Sequence, residues 1–234
     1  QLDHLLHASV KARLMSDVPL GVFLSGGLDS SLITAIAKHY KPDLKTFSIH
    51  FNEQSFDESK FSAYASEHLQ TTHYSACFSA KTFQDCFEKV FGMMNEPFAD
   101  SSFFPTTYLS ELSKQQVTVA LGGDGADELF AGYPTLLAHK ACRWAPFLNA
   151  SRLKSLSPLI RSSDKNFSFK FRVSQFLKGQ GCTTPIRHMY WMSAFSNAQK
   201  KLILKNETPY SEELENRFQT CFERYQTTDE LNQI

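Results

Sequence analysis

The sequence predicts an α/β protein with a doubly wound parallel sheet, followed by a mainly helical region. First, short apolar runs of strand type alternate with segments of helical periodicity through the first half of the chain. Second, the apolar runs that end near Leu24 and Leu121 are followed by glycine-rich turns. Third, strand-like runs become scarce after Tyr133. We therefore expect an α/β domain over residues 1–140 and a mainly helical part over residues 141–234.

The elements of the α/β domain follow in order from these patterns. Apolar residues at helical spacing open the chain, so an amphipathic helix precedes the first strand. The strand runs are short and apolar, as expected of strands buried on both faces of a parallel sheet. A loop at 177–185 divides the helical half. The predicted strands are 19–24, 45–51, 72–78 and 116–121, and the predicted helices after the first are 29–40, 57–69, 82–94 and 105–114.

The composition is that of a globular protein. Of the 234 residues, 42% are hydrophobic and 21% are charged, which suffices for a buried core. The 24 basic residues balance the 24 acidic ones, so net charge does not favour binding to nucleic acid or to a membrane. No apolar run has membrane-spanning length and no signal peptide is recognisable, so we expect a cytoplasmic protein. The 5 cysteines form no C-x-x-C pair, which favours reduced thiols.

The first glycine-rich turn, at Gly26 and Gly27, joins a strand to a helix. In an open parallel sheet, ligands bind outside the carboxyl ends of the strands. Glycines there let backbone N–H groups approach an anion, and the positive end of the next helix points to the same place. Asp29 would repel a phosphate unless a cation such as Mg²⁺ lay between them. The alternative is that the glycines only make a turn and that Asp29 caps the helix.

The second glycine-rich turn contains several acids. The sequence GGDGADELFAGY begins at Gly122 and brings Asp124, Asp127 and Glu128 close together in the chain. Three carboxylates at one strand end repel one another unless they bind cations or take part in proton transfer. An acidic surface turn is the alternative, although it would not require so many glycines. Together, the two turns predict a site for polyphosphate and a divalent metal ion.

These two turns resemble those of a known family. The pair GVFLSGGLDSSL and ALGGDGADELFAGY is similar to the synthetase domain of glutamine-dependent asparagine synthetases. The first turn resembles the pyrophosphate-binding loop of the N-type ATP pyrophosphatases, and alone it would also admit GMP, NAD and argininosuccinate synthetases. The stretches FDES at 56–59 and NEPFADSSFFPT at 95–106 agree as well. The likeness covers about residues 1–135.

The resemblance implies an ATP-dependent ligase that forms asparagine. The aspartate side-chain carboxylate would attack the α-phosphorus of ATP and release pyrophosphate, and ammonia would then displace AMP. The implied ligands are ATP and Mg²⁺, and the implied source of ammonia is a glutaminase domain of a longer chain. That domain, of about 200 residues with an N-terminal cysteine, is absent from this sequence. We therefore expect this chain to be incomplete as a catalyst, and its oligomeric state, including a homodimer, stays open.

The resemblance also assigns roles to individual positions. Asp29 and Asp127 would bind magnesium. Asp124 would act as a base toward the attacking nitrogen, although its side chain is one methylene shorter than the glutamate of some relatives. The implied catalytic residues are Asp29, Asp124, Asp127 and Glu128, and the implied ATP or pyrophosphate contacts are Phe23, Ser25, Gly26, Gly27, Asp29, Ser30, Ser31, Ile49, Asp57, Gly122 and Gly123.

Several of these positions have a simpler interpretation. Phe23 and Ile49 could be core residues, and Asp57 could be only a helix cap. Glu128 could orient its loop rather than touch substrate. Two other functions also stay open: a ligase that adenylates a different carboxylic acid, such as a β-lactam synthetase, or a nucleotide-binding module without catalysis. The acidic cluster argues against the second, because simple nucleotide sensing does not require it.

Overall fold

The structure is a computed structural model, in which the chain forms two compact units. Unit 1 runs from Gln1 to Ala126 and unit 2 from Asp127 to Ile234. The domain division predicted at residue 140 stays a prediction. The described residues are 1–96, 100–144, 169–193, 195, 197–203 and 210–224.

Unit 1 contains a four-stranded parallel sheet with the strand order β3-β2-β1-β4. The chain moves outward from β1 to β2 and β3, and then crosses to the other side of β1 to form β4. The point where the strand order reverses therefore lies between β1 and β4, whose carboxyl ends are neighbours. This order confirms the predicted doubly wound sheet. The strands are β1 Leu20–Phe23, β2 Lys45–His50, β3 Thr72–Cys77 and β4 Val119–Leu121.

The helices of unit 1 agree with the sequence patterns. Every strand and helix predicted up to Leu121 is observed, with ends that differ by at most three residues. The largest difference is at β4, which begins at Val119 rather than at residue 116. Val117 N–H donates to Ser113 at the end of the preceding helix, so the residues before β4 belong to that connection. The helices are α1 Leu2–Arg13, α2 Leu28–Tyr40, α3 Ser59–His68, α4 Ala80–Gly92 and α5 Phe103–Lys114.

Two apolar clusters hold the strands of unit 1 in place. One joins α1 and α2 to β1 through residues that include Val10, Val22 and Ile36. The other contains Phe78, Val90 and Phe104, contributed by the end of β3 and by α4 and α5. Burial of large apolar side chains of this kind stabilises a fold by about 1.5–3 kcal/mol each. The first cluster, against which Leu121 of β4 also packs, therefore fixes the two strands whose carboxyl ends carry the glycine-rich turns.

Unit 2 is helical in the residues that the structure describes, as the sequence predicts. A turn separates α8 from α9 within the predicted 177–185 loop. Residues 97–99, which belong to the NEPFADSSFFPT stretch, and residues 145–168 lie outside the described residues. In the described part of the chain, no helix is long and apolar enough to cross a membrane. After α6 Ala126–Phe130 at the boundary, the helices are α7 Pro134–Trp144, α8 Phe169–Lys178, α9 Thr184–Met192, α10 Asn197–Ile203 and α11 Tyr210–Arg224.

Candidate functional site

The turn between β1 and α2 requires glycine at position 26. Gly26 has φ +86°, in the left-handed region that favours glycine. A Cβ atom there would lie 2.4 Å from the carbonyl carbon of Phe61 and from the amide nitrogen of Ser62. Both of those atoms belong to the backbone of α3 and cannot move aside easily. The tight turn therefore depends on the bare glycine backbone.

Hydroxyl groups stabilise this turn from inside. Ser25 Oγ lies 2.9 Å from Ser30 Oγ, and it accepts a hydrogen bond from Gly27 N–H at 3.2 Å. Ser30 Oγ also lies 3.3 Å from the Gly27 carbonyl oxygen, to which it can donate. Ser30 is buried, whereas Ser25 and Gly27 are exposed. The serines therefore fix the shape of the turn while its backbone stays accessible.

The start of α2 leaves backbone donors available. The N-cap residue is Gly27, and no side chain caps this end of the helix. The first N–H groups of a helix have no partner within it, and here they include those of Leu28 and Asp29. The helix dipole adds positive character at the same end. This 13-residue helix thus presents uncapped N–H donors directly after β1.

The second glycine-rich turn contacts the start of α2. A Cβ atom on Gly123 would lie 2.8 Å from the amide nitrogen of Ser30 and 3.1 Å from the carbonyl carbon of Asp29. Only glycine allows the two backbones to approach so closely. Asp124, which is exposed, folds its carboxylate back toward Gly122. The two glycine-rich turns are therefore neighbours, as a shared site requires.

Asp127 and Glu128 lie in the first turn of α6. The Asp127 carboxylate packs against Gly132, whose N–H donates to the Asp127 carbonyl oxygen at 3.0 Å. The Tyr133 hydroxyl donates a short hydrogen bond to Glu128. This bond lowers the pKa of Glu128 and raises the pKa of Tyr133, because it stabilises the ionised carboxylate and the neutral phenol. Glu128 thus orients the segment that leads to α7.

The three predicted ATP contacts outside the glycine-rich turns differ in their surroundings. Phe23 is half-buried at the end of β1. Ile49 packs against the cluster that contains Phe78. Asp57 accepts a hydrogen bond from Ser59 N–H at 2.9 Å, and this bond lowers the pKa of Asp57. Asp57 therefore caps the first turn of α3, which was the alternative interpretation of that residue.

The donor groups fit a polyphosphate better than a bare metal ion. The described residues contain no group of three or more histidine, cysteine, aspartate or glutamate side chains that could hold a metal. Magnesium, however, is usually held by one or two carboxylates together with substrate phosphates. The free N–H groups at α2 suit phosphate oxygens, and Asp29 in the same turn supplies a carboxylate. The residues present thus fit a magnesium–polyphosphate ligand.

No role was predicted from the sequence for a set of polar residues on β2 and β3. Thr46, Ser48 and His50 alternate along β2 and therefore face one side of the sheet. His73 on β3 bonds to two of them, Thr46 and Ser48. The alternation of polar residues was visible in the sequence, but the partner of each side chain was not.

Strand order, glycine turns and the uncapped helix define an open parallel α/β protein with backbone N–H donors exposed at the start of α2, directly after β1. The chain belongs to the asparagine synthase family, whose model matches residues 1–232. This confirms the resemblance drawn from the two turns.

Individual relatives agree with the family assignment. The chain is 34% identical over 207 residues to asparagine synthetase [glutamine-hydrolyzing] 1 of Bacillus subtilis, covering 87% of this chain and 32% of that protein. It is 37% identical over 146 residues to asparagine synthetase [glutamine-hydrolyzing] 3 of the same organism, covering 56% of this chain and 24% of that protein. The chain therefore spans about a third or less of the length of these relatives.

A solved structure of an NH3-dependent NAD synthetase from Campylobacter jejuni is 14% identical, with a TM-score of 0.41, over 97% of this chain and 96% of that one. The strand order by itself supports the fold.

Proposed function

We propose that this chain is the ATP-dependent synthetase domain of an asparagine synthetase. In the proposed reaction, the aspartate side-chain carboxylate attacks the α-phosphorus of ATP and pyrophosphate leaves. Ammonia then attacks the β-aspartyl adenylate to give asparagine and AMP. The observation that carries the proposal is the close approach of Gly123 to Ser30, which joins two glycine-rich turns at the uncapped start of α2.

The first role of the site is to hold the pyrophosphate. Backbone N–H groups of the Gly26–Gly27 turn and of the first turn of α2 would donate to its oxygens. Ser25 and Ser31 would add hydroxyl donors, while the buried Ser30 maintains the turn. Fixed dipoles of this kind stabilise the charge that develops as pyrophosphate departs, and they need no reorganisation during the reaction.

The carboxylates have separate tasks in this proposal. Asp29 and Asp127 would bind Mg²⁺, which when bound supplies positive charge to the phosphate oxygens. Asp124 would accept a proton from the attacking nitrogen, and its exposure leaves it accessible for that task. Glu128 keeps its loop in place through Tyr133. In a longer chain, a glutaminase domain would supply the ammonia.

The adenosine part of ATP would lie beyond the phosphates, along the ends of β1 and β2. Phe23 at the end of β1 and Ile49 near the end of β2 would line that region, with Asp57 and the backbone of Gly122 nearby in the proposal. Ile49 serves the apolar cluster as well, and Asp57 also caps α3. The two functions of each residue are compatible, because a rigid wall helps to position a ligand.

The proposal is tested by exchange of labelled pyrophosphate into ATP. The chain is incubated with MgATP, pyrophosphate and one carboxylic acid at a time. Exchange that depends on aspartate alone supports the proposal, whereas exchange that depends on another acid identifies a ligase of different specificity. Nucleotide binding without exchange for any acid, in this chain and in any longer protein that contains it, would identify a binding module.

The metal assignment needs a separate test with a charge-matched control. Asp29→Asn should weaken ATP binding mainly in the presence of Mg²⁺, when measured by titration calorimetry. Asp43→Asn removes the same charge beyond the other end of α2, where Asp43 pairs with Lys41 at 3.4 Å, and should have little effect. Binding that keeps its full Mg²⁺ dependence in both Asp29→Asn and Asp127→Asn would refute the assignment.

A further inference from the structure

The space between α3 and the sheet is filled by polar side chains. Thr46 and Ser48 on β2 are fully or almost fully buried, and so is Ser62 on α3, whose hydroxyl lies 3.4 Å from that of Ser48. The opposite face of β2 carries the buried Phe47, stacked on Tyr74. Polar groups in such a position destabilise a fold unless they are hydrogen-bonded.

The polar side chains form one continuous series of hydrogen bonds, which we call the hydroxyl–imidazole chain. It begins at Thr71, just before β3, and finishes at His50, the last residue of β2. In order, the bonded atoms are Thr71 Oγ1 and Thr46 Oγ1 at 2.8 Å, Thr46 Oγ1 and His73 Nδ1 at 2.9 Å, His73 Nε2 and Ser48 Oγ at 3.0 Å, Ser48 Oγ and Ser75 Oγ at 3.1 Å, and Ser75 Oγ and His50 Nδ1 at 3.1 Å.

In the middle of the hydroxyl–imidazole chain, the geometry shows which groups donate and which accept. Ser48 donates to Ser75, and a hydroxyl has only one hydrogen to donate. His73 Nε2 must then donate to Ser48. Burial lowers the pKa of His73 and keeps its ring neutral, so the other ring nitrogen accepts a hydrogen bond from Thr46.

The same direction continues to His50. Ser75 accepts from Ser48, which leaves its own hydrogen free for His50 Nδ1. We propose that the hydroxyl–imidazole chain holds His50 in the tautomer with its proton on Nε2, and that this N–H donates to the nucleoside part of the bound nucleotide. His50 is then a substrate-binding residue, while Ser75, Ser48 and His73 are positioning residues.

The location of His50 supports this role. It is the last residue of β2, which pairs with β1, and ligands of open parallel sheets bind beyond these ends. Its side chain is half-buried. Among the described residues, none accepts a hydrogen bond from His50 Nε2. The donor is therefore available for a ligand.

This inference rests on the proposed function for the identity of the ligand, because α2 would hold the phosphates and the neighbouring strand end would face the nucleoside. The nucleoside offers ring nitrogens and ribose oxygens as acceptors. The tautomer itself does not depend on the ligand. It can therefore be tested whether or not the chain binds ATP.

The tautomer is measured by nitrogen-15 NMR of the histidine rings in the 234-residue chain. We expect the His50 signals to show a protonated Nε2 and an unprotonated Nδ1. Ser75→Ala should produce a mixture of the two tautomers at His50, and Ser75→Thr, which keeps a hydroxyl, should restore the single form. Thr72→Ala removes an exposed hydroxyl from the same strand and should change nothing. A proton on Nδ1 in the unaltered protein, or an unchanged His50 in Ser75→Ala, would overturn the proposal.

The ligand contact is measured by ATP titration. His50→Leu should weaken ATP binding about three- to ten-fold, the usual loss for one hydrogen bond. His50→Gln can place an amide N–H near the position of Nε2 and should restore most of the affinity. Equal affinity of His50→Leu and the unaltered protein would overturn the contact. If the unaltered protein binds no ATP, the proposed function fails together with the contact, while the NMR result still decides the positioning role.

Discussion

Units 1 and 2 both leave polar groups without partners, but in different places. In unit 1, N–H donors at the exposed start of α2 have no partner within the helix, while the buried hydroxyls of Thr46 and Ser48 are hydrogen-bonded within the hydroxyl–imidazole chain. In unit 2, polar atoms without partners lie inside the described part, on Thr135, His139, Gln175 and Arg187. Donors at a solvated helix end cost little and can bind a ligand, whereas buried atoms without partners reduce stability. The same observation thus indicates a binding site in one unit and an energetic weakness in the other.

The largest effect is expected from Gly26→Ala, which breaks the geometry that keeps the α2 donors accessible. Its Cβ would overlap backbone atoms of α3 at 2.4 Å, and φ is +86°. We expect a loss of about 3 kcal/mol or more in the free energy of unfolding, measured by urea unfolding with circular dichroism.

Gly125→Ala is the matched control. Gly125 has φ +91° but nothing within 4 Å of an added Cβ. The free energy of unfolding of Gly125→Ala should therefore fall by only about 1 kcal/mol. The difference between the two variants isolates the overlap from the backbone strain. Equal losses would show that α3 does not constrain the turn as the structure indicates.

The second effect is acid destabilisation of unit 2. His139 is 3% exposed, and its pKa is lowered to about 3 by burial and by the nearby His188 and Arg187. The unfolded chain takes up the proton first as the pH falls, so stability is complete above the ordinary value of 6.5 and decreases down to about 3. We expect a loss of about 2–3 kcal/mol by about pH 4.

Tryptophan fluorescence measures this loss in unit 2, because Trp144 and Trp191 are the 2 tryptophans of the chain and both lie there. Trp191 also packs on His139 with ring centroids 4.6 Å apart. His139→Phe should reduce the pH dependence of unfolding, while His68→Gln, at an exposed position of unit 1, should leave it unchanged. An unaltered dependence in His139→Phe would assign acid sensitivity to other groups.

The sequence predicted the parts of unit 1 that depend on local pattern. Alternation of strand and helix signals gave the sheet, and the glycines at positions 26 and 123 pointed to the two turns that meet at α2. The start of β4 was predicted too early, because the apolar Val117 fits the strand pattern. Its N–H instead donates to the Ser113 carbonyl oxygen in α5. The pairing of His73 with Ser48 was not predictable, since it depends on strand register. The buried His139 could not be distinguished from a surface histidine, because its burial depends on packing against Trp191 of another helix.

The third effect concerns a helix start that is capped. Ser79 caps α4 by accepting a hydrogen bond from Thr82 N–H at 3.1 Å. Ser79→Ala should lower the free energy of unfolding by about 1 kcal/mol, because one backbone donor loses its partner. ATP affinity, measured by calorimetry, should not change. A clear loss of affinity would mean that the cap on α4 supports the binding site.

The smallest change in stability is expected from Gly27→Ser, which adds a cap to α2. Gly27 has φ −67° and ψ 166°, which serine adopts freely, and an added Cβ would meet only Ser25 Oγ at 3.4 Å. The serine oxygen would accept an N–H of the first turn and stabilise the protein by a few tenths of a kcal/mol. It would also compete with phosphate for that donor, so ATP should bind several-fold more weakly. Gly27→Ala adds the same Cβ without the oxygen and separates steric effects from capping. A more stable Gly27→Ser variant with unchanged ATP affinity would show that phosphate does not bind at the start of α2.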